Sequence, residues 1–298
     1  QADQLDELRE QESSVQTTTG ETTAAAQSES PEPAPGSEQE GTLSPSSGTT
    51  FTDNTDSSMD NLLNQVQSLL PSGNGTWSVY VCNLAKNTEG SINDQQMQAA
   101  SLIKLYIMGA VYENYDQITG QYGRDSVDSN LYSMITVSDN DAANTLTTYL
   151  GGGDSAAGMQ AVNSFCQAHG YDQTHMGRML LASNENDDNY TSVGDCGHLL
   201  QEIYKQDTSG YTHAADMFNL LKAQTRCNKI PAQLPEGVKT ANKTGELDNV
   251  ENDAGILYDT NSGNDLVICF LSENLTDTAA AQSTIAQLSR TIYLTYNG

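Results

Sequence analysis

Cations are scarce in this 298-residue chain: 12 Lys and Arg stand against 39 Asp and Glu, a net charge of −27 at neutral pH. Such a body repels phosphate backbones and anionic lipid surfaces, so no nucleic-acid partner is expected. No apolar run approaches the ~20 residues a membrane-spanning helix requires. Aromatic residues are only 6 % of the chain. Cys82, Cys166, Cys196, Cys227 and Cys269 are scattered, without a CxxC pair or metal-type spacing. Each reads as a small buried residue, and an odd number leaves at least one thiol outside any disulfide framework. His169, His175, His198 and His213 form no HxxxH or HExxH pair. Neither a metal site nor a cofactor is expected.

What is present divides the chain in two. Residues 1–57 hold 12 of the acids and one cation, in a Ser, Thr, Pro and Glu-rich stretch with almost nothing to bury. Such a segment cannot offset its ordering entropy, so it is expected to be a disordered acidic tether. The sequence opens with Gln. An upstream signal or anchor is therefore expected to have been removed, which implies an extracellular or cell-surface location. Residues 58–298 read as the folded body, expected to be a monomer. "MDNLLNQVQSLL" has helical spacing, "TWSVYVCNL" alternates as a strand, and "NTEGSIND" is a hairpin connection. Helical patterns dominate from about 101 to 230. Among them, "GGGD" ends one helix and supplies Asp154 as the N-cap of the next, whose last turn carries His169 in a structural role. Strand patterns return in "GVKTANKTGEL", "DAGILYD" and "DLVICFLSE", before a final helix. Strands at both ends of a helical middle imply one sheet built from distant segments, a helical lobe, and a cleft between them.

Three short motifs bear chemistry. Ser101 and Lys104 lie one helical turn apart in "AASLIKLYIMGA" and so share a face. A serine is a weak nucleophile until a neighbour takes its proton, and a buried lysine of lowered pKa could do so. "SDNDAAN" supplies Ser138, Asp139 and Asn140; "NKTGEL" supplies Lys243, Thr244, Gly245 and Glu246. Alone, each has a plain structural reading: an amphipathic helix, a helix cap, a strand-edge turn. In this order they form the SxxK, SDN, KTG set of class A β-lactamases and penicillin-binding proteins.

The chain thus resembles the class A β-lactamase-like serine hydrolases across its folded body. That resemblance implies an α/β (α+β) fold: a five-stranded antiparallel sheet flanked by helices, plus an all-helical lobe carrying Ser138. It implies an acyl hydrolase acting on β-lactams or cell-wall peptides. Ser101 would attack the amide carbonyl and Lys104 would assist its deprotonation. Ser138 would relay a proton to the leaving nitrogen beside Lys243. Asn140 and Thr244 would bind substrate, and the N–H groups of Ser101 and Glu246 would form the oxyanion hole next to Gly245. A D-Ala-D-Ala peptidase or transpeptidase is an alternative implied function, and a non-catalytic wall-binding module is a third.

The pattern breaks at one place. Class A β-lactamases carry a glutamate, shortly after the residue matching Arg178, that activates the deacylating water. Here that stretch reads Met179, Leu180, Leu181, Ala182, and Glu185 sits in a polar run that reads as solvated loop. Weak or unusual deacylation follows as an expectation. A second question attaches to Glu246, whose carboxylate either faces the cleft, pairing with Lys243, or turns out to solvent.

Overall fold

The structure is a computed structural model, and it describes residues 54–298. The tether expected over 1–57 lies almost wholly outside the described residues. Its last few residues lie inside: Asn54 forms a β-bridge with Glu89, and Asp56 caps the first helix.

That helix, α1 (Ser57–Leu69), precedes the hairpin β1 (Thr76–Asn83) and β2 (Thr88–Ile92). A short strand β3 (Met97–Gln98) leads into a 3₁₀ turn (Ala100–Leu102) and α2 (Ile103–Glu113). Next come α3 (Tyr115–Tyr122), α4 (Arg124–Thr136), α5 (Asn140–Leu150) and α6 (Ser155–Ala168). Strands β4 (His175–Met176) and β5 (Asn189–Thr191) flank a long loop, before α7 (Val193–Tyr204) and α8 (Ala214–Lys222). The chain closes with β6 (Lys239–Leu247), β7 (Val250–Tyr258), β8 (Leu266–Glu273) and α9 (Thr278–Asn297).

The main sheet is five-stranded and antiparallel, in the order β2-β1-β8-β7-β6. Because the chain's first hairpin joins its last three strands, the helical segment between them must leave the sheet and return. Strand side chains alternate between two cores. Trp77, Val79, Val81, Ile268 and Phe270 pack with Met59, Leu62, Ile285 and Ile292 of α1 and α9. Tyr80, Cys82, Val267, Cys269 and Leu271 face the other way, toward α2 and the helical lobe. Both faces are covered, so these strands are apolar throughout rather than alternating with polar residues.

Helix α2 is the spine of that second core, with every residue from Ile103 to Tyr112 buried. It is not amphipathic, as an isolated SxxK helix would be; it is enclosed on all sides. A Cβ on Gly109 would fall 2.4 Å from the Phe165 ring, so the glycine lets α6 approach closely. Asp139 and Asp154 cap their helices as the sequence suggests, accepting from Ala142 N and Ala157 N, and Asp277 likewise accepts from Ala280 N. Gly152 and Gly153 take the left-handed conformations that the turn between α5 and α6 requires.

One element was not legible in sequence. β3, β5 and β4 form a separate three-stranded sheet, two of whose strands, β4 and β5, lie within the stretch read as helical. Strands of two or three residues are too short to show a period. Among the described residues, no helix is long and apolar enough to cross a membrane. All five cysteines are unpaired, with Cys227 exposed and the other four buried.

Candidate active site

Ser101 sits in the 3₁₀ turn that runs into α2, at the positive end of the helix dipole. Its approach is fixed from β7, where the buried Asn252 donates to Gln98 O at 2.9 Å and Ala99 O at 3.1 Å. Ala100 has φ 47°, a left-handed conformation that costs a non-glycine residue of order 1–3 kcal/mol. Ser138 has φ 59°. Strained backbone thus precedes one serine of the pair and carries the other.

Lys104 joins the elements. Its Nζ lies 3.0 Å from Ser101 Oγ, 3.0 Å from Ser138 Oγ, 2.7 Å from Ser138 O and 2.7 Å from Asn140 Oδ1. On the far side of Ser138, Lys243 Nζ donates to its Oγ at 2.9 Å and to Thr244 O at 2.7 Å. Ser101, Lys104, Ser138, Asn140, Lys243 and Thr244 are all buried. Burial pushes the Lys243 ammonium well below its ordinary value, and the charges of Lys104 and Arg226 push it further. The Thr244 hydroxyl is buried with no hydrogen-bond partner. Gly245 packs on the nucleophile turn: a Cβ there would lie 3.0 Å from Ser101 N and 3.1 Å from Ala99 O. The three motifs, separated by up to 142 positions in sequence, therefore meet at one point.

Glu246 neither turns out to solvent nor hydrogen-bonds Lys243. Its Oε1 accepts from Lys229 Nζ at 2.7 Å and its Oε2 from Arg226 Nη1 at 3.1 Å. The side chain is only 13 % exposed, so it does not swing out to solvent, and its hydrogen-bond partners are not Lys243. Burial alone would raise its pKa, but Lys229 and Arg226 outweigh that and hold it down at about 2. Lys229 is fully buried and also meets Glu251 Oε2 at 3.0 Å. Arg226 reaches across to the opposite wall, where Nη2 donates to Val137 O at 3.2 Å, and Thr225 N donates to Thr136 O at 3.0 Å. This segment ties the Ser138 turn to β6. Sequence reasoning passed over Arg226 and Lys229. The available signal was scarcity: two of 12 cations stand three residues apart just before the KTG strand.

The loop between β4 and β5 is anchored at the site by Asn144, one turn beyond Asn140 on α5. Asn144 Nδ2 donates to Leu180 O at 3.0 Å, and its Oδ1 accepts from Leu180 N at 2.8 Å. Leu180 is buried, Leu181 has φ 67°, and Arg178 Nε pairs with Asp188 at 2.7 Å. An apolar residue thus occupies the anchored position. Glu185 is exposed, its backbone N–H bonded to Ser183 Oγ. His169 bonds Glu113 at 2.7 Å and packs against Phe165 and Tyr211, a structural setting. Among the described residues, no group of His, Cys, Asp and Glu could hold a metal ion.

A two-lobed fold whose serine, two lysines and second serine converge in this way defines a serine hydrolase of the β-lactamase type. The sequence model described as "Beta-lactamase enzyme family" matches residues 61–123 and 119–296, and the chain belongs to that family. Among solved structures it is similar to PBP-A, at 25 % identity and TM-score 0.68 over 78 % of this chain and 95 % of that one. The β-lactamase of Sphaerobacter thermophilus aligns at 23 % identity and TM-score 0.65, over 79 % of this chain and 97 % of that one. The TLA-1 extended-spectrum β-lactamase aligns at 17 % and 0.70, over 81 % and 100 %. These last two establish the fold alone. No curated protein sequence matches the chain.

Proposed function

We propose that this protein is a serine acyl hydrolase that opens β-lactams or cell-wall peptide amides through an acyl-enzyme on Ser101 and releases the acyl group slowly. The observation that carries the reading is the set of contacts at Lys104. In the neutral amine, the two N–H groups satisfy the carbonyl oxygens of Ser138 and Asn140, both at 2.7 Å. The lone pair is then left for the two hydroxyls, and Ser101 Oγ at 3.0 Å stands within reach of a general base, as Ser138 Oγ does. As Ser101 Oγ bonds to the carbonyl carbon, its proton passes to Lys104. Collapse of the tetrahedral intermediate breaks the C–N bond, and Ser138 hands a proton to the leaving nitrogen while drawing from Lys104 the one that it took from Ser101. Backbone N–H groups of Ser101 and Glu246 serve the oxyanion. One such donor is worth about 3–4 kcal/mol where it has been removed in other enzymes. Asn140 and the unpartnered Thr244 hydroxyl bind substrate.

Slow release rests on Leu180. The side chain held at the loop's anchor point cannot activate water, and Glu185 is out in solvent. The same feature favours a penicillin-binding peptidase or transpeptidase as the second reading, in which the acyl-enzyme waits for an amine or a slow hydrolysis. A cell-surface location fits both, since such peptides and antibiotics are met outside the membrane. The test is a rapid-mix time course with a chromogenic β-lactam. A burst stoichiometric with protein, followed by slow turnover, is the expected result. Rapid linear turnover without a burst would contradict it.

A further inference from the structure

Two cations, Arg226 and Lys229, stand against β6, and the protein's own anions occupy both. Lys229 is fully buried and shared between Glu246 at 2.7 Å and Glu251 at 3.0 Å. Glu251 is itself inaccessible and accepts a further hydrogen bond from Gln282 at 2.9 Å. Arg226 divides its guanidinium between Glu246 on β6 and Val137 O, the residue before Ser138. Its planar fork is therefore spent on the protein at the edge of the site. Lys104 is committed to Ser101, Ser138 and Asn140. Lys243 donates to Ser138 Oγ and Thr244 O, and it is desolvated and repelled by Lys104 and Arg226, which favours its neutral form. Asp253, across the ladder from Thr244, adds a buried carboxyl hydrogen-bonded to Asn242 and Ile230 N.

We propose that Glu246 is a specificity-determining residue of the Ser101 site. Its fixed carboxylate occupies Arg226, the cation that reaches from β6 to the residue before Ser138, and withholds it from an anionic group of the substrate. The site consequently takes acyl donors that are uncharged where a penicillin bears its free carboxylate, such as esters or amides at that position. The wider field acts in the same sense, since the whole chain carries −27 and disfavours anionic ligands. This inference rests on the hydrolase reading. A purely structural ion pair would alter fold stability and the reaction of all substrates alike; a specificity determinant alters the ratio between charged and uncharged ones.

The experiment compares second-order rates of Ser101 acylation by benzylpenicillin and by its methyl ester, followed by intact mass at low salt. In the wild type the free acid should react less than about tenfold faster than the ester, where tenfold is 1.4 kcal/mol of differential stabilisation. Glu246→Gln keeps an acceptor for Lys229 and removes the charge. It should raise the acid-to-ester ratio at least tenfold. A wild-type ratio above tenfold in favour of the acid, or an unchanged ratio in the folded variant, overturns the proposal. If the variant does not fold, the wild-type ratio alone decides. Absence of any adduct from either compound would remove the hydrolase reading and this inference with it, an outcome distinct from an adduct formed with strong acid preference.

Discussion

Replacing Lys229 by methionine isolates the charge network behind the catalytic strand. The substitution keeps volume and apolar contacts but leaves Glu246 and Glu251 without their shared buried cation. Breaking a buried pair by deleting one partner typically costs 3–5 kcal/mol. A second route bounds the Glu246 part of that cost, which Lys229 shares with Arg226 and Lys243. The Glu246 carboxyl is held at about 2, against an ordinary 4.5, which corresponds to roughly 3 kcal/mol at neutral pH. The pKa is depressed on folding, so this stability is present above the unfolded value and lost as pH falls through the folded one. The window therefore runs from about 4.5 down to about 2, and less than half of the contribution should remain at pH 3. Urea denaturation should show Lys229→Met destabilised by about 3–5 kcal/mol at pH 7, with a much smaller difference at pH 3. Arg226 remains beside Glu246 in the variant, which places the expected loss toward the lower end. A difference below about 1 kcal/mol at pH 7, or one that does not shrink in acid, would refute the reasoning.

Two further substitutions test the geometry. Gly245→Ala should slow acylation at least tenfold with little loss of fold, because its Cβ would press on Ser101 N at 3.0 Å and shift the nucleophile turn; stopped-flow acylation by a penicillin checks this. Leu180→Glu puts a carboxyl at the loop position clamped by Asn144, and should speed release of the acyl group relative to wild type in single-turnover measurements.

Much of the fold and the centre of the site were legible in the sequence, for a local reason. SxxK, SDN and KTG each place their residues within four positions, so each motif survives in one dimension, and the strand and helix patterns around them fix where the chain must return. The charge network was not legible. Arg226 and Lys229 act on Glu246 from a segment whose conformation is irregular, and their partners Val137 and Glu251 lie up to 89 positions away. The direction of Glu246 was open for the same reason: alternation along β6 says that it points opposite to Gly245, but not what stands there. The loop after Arg178 could be read only as lacking a glutamate. That Leu180 is the residue clamped by Asn144 depends on two hydrogen bonds across 36 positions. The small β3-β5-β4 sheet was hidden by its brevity.

The central claim is that Ser101 forms a covalent acyl-enzyme, and intact-mass spectrometry after exposure to a penicillin tests it most directly. The wild type should gain the full mass of the penicillin, on the peptide containing Ser101, and Ser101→Ala should gain nothing. An unmodified wild type across several β-lactams and D-Ala-D-Ala peptides, or an adduct that persists in Ser101→Ala, would contradict it.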